Sequence, residues 1–104
     1  LAEKAPDPQS VVQSIRDAVR FGEIDFSQHA LDRMHERGLD FSDILLLLSN
    51  GEAAGKAEYD AKHCGFKYRI AGPTLDGDWA TAIVCVPDRL VVYVITVLGS
   101  GEAP

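Results

Sequence analysis

A chain of 104 residues with 46% hydrophobic and 25% charged side chains has the balance of one ordinary folded domain, not of a disordered tract. No apolar run approaches the ~20 residues of a membrane-spanning helix; ILLLL at 44–48 has the length of a core segment. The net charge of −6 excludes a broadly basic surface, but it is uneven: residues 27–70 hold seven acids against six Lys/Arg, or −1, which leaves −5 in the flanks and room for a local cationic site.

In chain order, the opening LAEKAPDPQS is polar and carries prolines, unlike a secretory leader. Asp7 as N-cap and Pro8 at the first helical position then start an amphipathic helix over Pro8–Phe21. Its apolar positions are Val11, Val12, Ile15, Ala18 and Val19, and Gly22 stops it. Ser27 caps a second helix, Gln28–Arg37, which Gly38 terminates. Asp40, with Asp43 three residues on, starts a third that runs through ILLLLSN to Gly51.

The texture then changes. KAEYD, GFKYRIAG, WATAIVCV and LVVYVITVL are rich in β-branched and aromatic residues and read as four strands of an antiparallel meander. Asp76 and Gly77 form a strong hairpin signal, and the last two strands, nearly continuous in apolar residues, are expected at the centre. Residues 99–104 read as a frayed tail. The fold class is therefore α+β: three helices followed by a four-stranded antiparallel sheet, with the helices packed on it. Leu31, Met34, Ile44, Leu47, Ile83, Val92 and Val94 are the expected core.

Two cysteines, Cys64 and Cys85, are too few for a secreted disulfide scaffold. The expectation is a cytoplasmic protein with reduced thiols, in which Cys85 is a buried small hydrophobe. No CxxC or HxxxH spacing, glycine-rich phosphate loop or GxSxG elbow is present, so neither metal nor cofactor is implied.

The stretch FSQHALDRMHERGL carries the first candidate site. His29, Arg33 and Arg37 stand four apart, so they form one slanted stripe drifting about 40° per step. It borders the apolar stripe of Ala30, Leu31 and Met34. The stripe is either a solvated face paired through Asp32 and Glu36, or a row aimed at an anion. The strand HCGFKYRI carries the second. Alternation puts Phe66, Tyr68 and Ile70 on one face and Lys67 and Arg69 on the other, two cations about 7 Å apart that match a phosphate. In the closing strand both faces are apolar, and Tyr93 and Thr96 are the polar exceptions.

These segments together resemble a bacterial domain family of unknown function. Its pattern is F-S-x-H-A-x-x-R-M-x-E-R-G-I/L, then N-G, a K/R-Y-R-V strand and a closing V-V-V-I-T-V strand, and the resemblance covers residues 26–98. Residues 1–25 are then an N-terminal helix and linker to a single domain. The family resembles the RelE and MqsR type of toxin ribonuclease, whose helices precede a twisted antiparallel sheet. The resemblance implies a metal-independent endoribonuclease, with RNA and an antitoxin protein as partners, no membrane partner, and a homodimer left open. It carries over His29, Arg33, Arg37, Tyr68, Arg69 and Thr96, and more loosely Lys67.

In such chemistry His29 is the best base or acid, since its reference pKa of about 6.5 lies near working pH. Arg33, Lys67 and Arg69 suit the phosphate, and Tyr68 suits an acid or a stacking platform. Arg37, Lys67 and Thr96 are expected to bind substrate. The rivals are a protein-binding module that uses the arginine-rich helix face as its interface, and an Arg–carboxylate network that ties helix to sheet. Catalysis requires His29, Arg33 and Arg69 to converge on one open site.

Overall fold

The computed structural model describes residues 7–62 and 65–99. The three helices have the expected bounds, although Asp7 makes no side-chain cap bond at the start of the first. Helix α1 spans Pro8–Phe21 with proline in its first turn. Helix α2 spans Gln28–Arg37, with the Ser27 hydroxyl accepting from the Ala30 N–H and Gly38 at φ 68 closing it in the left-handed region. Helix α3 spans Phe41–Asn50 and carries a full capping box: Asp40 accepts from the Asp43 N–H while Asp43 accepts from the Asp40 N–H. No helix among the described residues is long and apolar enough to cross a membrane.

The sheet departs from the expected four antiparallel strands. It has five and is mixed, in the order β1-β5-β4-β3-β2. Strand β1, Glu23–Phe26, lies in the segment read as a linker. It pairs in parallel with β5, Val91–Leu98. β2, Glu52–Asp60, β3, Gly65–Pro73, and β4, Trp79–Asp88, complete the antiparallel meander with β5. β2 starts four residues before the KAEYD segment, because the ladder to β3 captures Glu52, Ala53 and Ala54. β5 and β4 lie inside the sheet, as their apolar runs predict.

All three helices pack on one face. Val11, Val12, Ile15 and Ala18 of α1, Ala30 and Met34 of α2, and Ile44, Leu47 and Leu48 of α3 form one core with Tyr68, Ile70, Ala82, Val84, Val92, Val94 and Val97 of the sheet. Ile83 is not in that core. It is half-buried on the opposite face, because β4 alternates with Ala82 and Val84 inward. Leu31 is partly buried against the core. The exit of α3 meets β3 backbone to backbone. A Cβ on Gly72 would stand 2.8 Å from the Gly51 Cα, so neither position has room for a side chain. Arg16 Nη2 donates to the Gly51 carbonyl at 3.2 Å and ties α1 to the same corner.

Cys85 corrects a second expectation. It is buried, at 1% exposure, but it is disulfide-bonded and not a free thiol. The chain's other cysteine, Cys64, lies outside the described residues, as does the expected tail beyond Gly99.

Candidate functional site at the edge and open face of the sheet

β1 pairs with β5 only along residues 91–94. Beyond that point the edge carbonyls of β5 need other donors, since an unpaired edge is costly when buried and adhesive when exposed. The start of α2 supplies them. The Ser27 N–H donates to the Val94 carbonyl at 2.9 Å, the Ser27 hydroxyl to the Ile95 carbonyl at 2.6 Å, and Arg33 Nε to the Val97 carbonyl at 3.4 Å. Arg33 Nη1 also reaches Glu36 at 3.3 Å. Ala30 and Met34, at 0% and 4% exposure, press the helix onto the core.

This docking orients the polar stripe. Arg33 faces the free edge of β5, and His29, about 40° further round the same flank, is solvent-exposed beside it. The flank therefore runs along the strand edge at residues 95–97. Arg33 reaches both the sheet edge, at the Val97 carbonyl, and Glu36 one turn further along its own helix.

The face of the sheet away from the helices carries the other candidates. Register places Thr96 beside Ile83 and Ile83 beside Arg69, one row across three strands. Lys67 stands one pleat from Arg69 on the same face, and Tyr93 lies opposite Cys85. Thr96 Oγ1 is buried and has no hydrogen-bond partner among the described residues. Arg69 Nη2 pairs with Glu58 at 3.1 Å, and Lys67 Nζ with Asp60 at 3.8 Å. These two carboxylates were missed in the sequence. Their signal was the alternation of KAEYD, which sets Glu58 and Asp60 on one face of the neighbouring strand.

Two expected site residues lie elsewhere. Tyr68 is 4% exposed and faces the helices, opposite Lys67 and Arg69. Burial raises its phenol pKa above the ordinary value of 10.0, so it neither stacks on a solvent-borne base nor gives up a proton readily. Arg37 ends α2 and lines a cleft of about 220 Å³ with Asp43, Thr74, Asp76, Asp78 and Trp79. The acids there serve the turn. Asp43 Oδ1 accepts from the Leu75 N–H at 2.9 Å, and Asp76 accepts from the Thr74 hydroxyl at 2.7 Å. That hydroxyl, with the Asp78 backbone, holds the Asp76 carboxyl below its ordinary value. Among the described residues no group of three or more His, Cys, Asp and Glu is gathered to hold a metal ion.

A family model described as a domain of unknown function, DUF4258, matches residues 26–98. The match starts at the residue before the Ser27 cap and ends with β5, so it spans α2, α3 and the whole meander and leaves out α1. No curated protein and no solved structure matches the chain.

Proposed function

The chain belongs to the DUF4258 family, and from that premise we propose that it is a toxin-type, metal-independent endoribonuclease of a bacterial toxin–antitoxin pair, distantly akin to RelE and MqsR. One observation supports this most. The Arg33–Val97 contact brings the His29 flank of α2 to the strand edge where the row Thr96, Ile83, Arg69 begins. A single-stranded RNA lying across that edge would meet an imidazole at one end and a pair of cations at the other.

In this reading His29 takes the 2′-hydroxyl proton or protonates the leaving 5′-oxygen. The 2′-oxygen bonds to phosphorus, the bond to the 5′-oxygen breaks, and a 2′,3′-cyclic phosphate and a 5′-hydroxyl result. Arg69 and Lys67, two strands from that edge, hold a neighbouring phosphate of the same RNA strand and position it. Tyr93, half-buried on the open face, replaces Tyr68 as the surface on which a base stacks. Arg33 positions the helix. The antitoxin would cover the same open face.

The test is cleavage of total cellular RNA by the purified protein, beside growth on expression. Wild type should cleave and slow growth. His29→Ala should lose roughly 10²–10³ in rate and Arg69→Ala should weaken RNA binding, both with unchanged melting temperature. Equal growth for wild type and variants with no cleavage would overturn the proposal. The rival is a non-catalytic protein-binding module, favoured by the pairing of both cations with carboxylates and by the net charge of −6. Under it a partner complex forms and RNA stays intact.

A further inference from the structure

The ladder between β2 and β3 is irregular where it meets the cationic pair. Glu52, Ala53 and Ala54 stand opposite Ala71, Ile70 and Arg69, while Glu58, Tyr59 and Asp60 stand opposite Lys67, Phe66 and Gly65. Four residues of β2 thus span two of β3. Gly55, at φ 75, lies within the irregularity, in the left-handed region that suits glycine. Had the first register continued, Lys56 would face Lys67, and Glu58 would face Gly65. The insertion of two residues replaces a like-charge neighbour by a carboxylate. It also brings Glu58 to Arg69 on the diagonal at 3.1 Å, while Lys67 reaches Asp60 at 3.8 Å.

The result is a clamp that is already filled. Each cation able to hold a phosphate holds a carboxylate of the adjacent strand. The pairs are half-exposed, with side-chain exposures of 31% and 50% for Arg69 and Glu58 and 30% and 20% for Lys67 and Asp60. Such pairs are weak and open readily. An arginine fork donates to a phosphate at least as well as to a carboxylate.

We propose that Glu58 and Asp60 are internal competitors of the substrate phosphates: they occupy Arg69 and Lys67 in the free protein and must be displaced when RNA binds. This rests on the reading of the open face as an RNA site. It gives the β2 irregularity a use, which is to set the threshold for binding on an acidic protein. A single phosphate contact is weakened by the modest cost of opening a pair. A strand anchored also at the His29 edge offsets that cost.

The test is fluorescence anisotropy with a labelled single-stranded RNA carrying 2′-O-methyl groups throughout. It lacks the attacking hydroxyl and reports binding without cleavage. Glu58→Gln and Asp60→Asn should each tighten binding by about 3- to 10-fold, from the release of a weak pair and the loss of a like charge beside the phosphate. The logarithmic salt dependence should also steepen by roughly one ion for each freed cation. Glu52→Gln is the control, because Glu52 stands opposite Ala71 and not beside either cation; it should change affinity by less than about 2-fold. Circular dichroism melts check that each variant folds. If wild type binds and Glu58→Gln binds no tighter, or if Glu52→Gln tightens binding equally, the competition is refuted while the RNA site stands. If neither wild type nor variants bind, the RNA site itself fails, and the competition with it.

Discussion

Replacing Ser27 by alanine removes one oxygen that serves two chain segments. The hydroxyl accepts from the Ala30 N–H at 2.9 Å, which caps α2, and donates to the Ile95 carbonyl at 2.6 Å, which closes the edge of β5. Loss of an N-cap costs about 1 kcal/mol, and loss of the donor to a part-buried carbonyl about 1 kcal/mol more. The expected total is ~2 kcal/mol. At ~2.1 cal/mol/K per residue, 104 residues have an unfolding entropy of ~0.22 kcal/mol/K, so the melting temperature should fall by ~9 °C. Thermal melts by circular dichroism measure it. Ser27→Thr keeps both bonds and should melt within about 2 °C of wild type. Ser27→Asp separates the two roles. A carboxylate still caps the helix, but it cannot donate to the Ile95 carbonyl and repels it, so this variant should melt at least as low as Ser27→Ala. A Ser27→Asp protein as stable as wild type would show that the cap alone matters and that the hydroxyl does not tie α2 to the sheet.

Gly72→Ala should cost about 2–3 kcal/mol in urea unfolding, since its Cβ would stand 2.8 Å from the Gly51 Cα and 3.1 Å from the Leu47 carbonyl, both backbone; a loss near zero would refute the close approach. Unreduced, denatured protein should take up no iodoacetamide, and reduced protein should take up two equivalents, because the chain has two cysteines and no free thiol among the described residues. Reduction should also lower the melting temperature. Asp76 has a folded pKa held below its ordinary 3.8 by the Thr74 hydroxyl and the Asp78 backbone. Its stabilisation is therefore complete above 3.8 and lost as pH falls through the lower folded value. The melting-temperature difference between wild type and Asp76→Asn should accordingly be flat above that range and shrink below it.

The residues that define helix ends act over three or four positions, and all three helices could be read from them. Pro8, which has no N–H to satisfy, Ser27 and Gly38, and Asp40 with Asp43 each satisfy or excuse backbone groups within one turn. The meander was legible for a similar reason: β-branched runs separated by turn residues leave little choice of neighbour. β1 was not legible. EIDF is four residues with two acids, and its strand character comes from pairing with residues 91–94, far along the chain. The start of β2 was missed likewise, since Glu52 to Ala54 have little β propensity and join the sheet through β3.

For the candidate site the division runs through side-chain direction. Alternation alone separates Tyr68 from Lys67 and Arg69, and helical spacing alone aligns His29 with Arg33. Neither says which face of a strand meets the helices. Ile83 and Val84 are equally apolar, and packing decided that Val84 is buried and Ile83 half-exposed. The partners of the charged groups also came from tertiary structure. Arg33 reaches the Val97 carbonyl across 64 residues. Glu58 meets Arg69 because a two-residue irregularity shifts the register. Local caps, turns and periodicity determined the elements, because their energies depend on neighbours in the chain. The fifth strand, the disulfide at Cys85, the open face and its filled clamp were decided by contacts between distant segments, whose energies exist only once the sheet has closed.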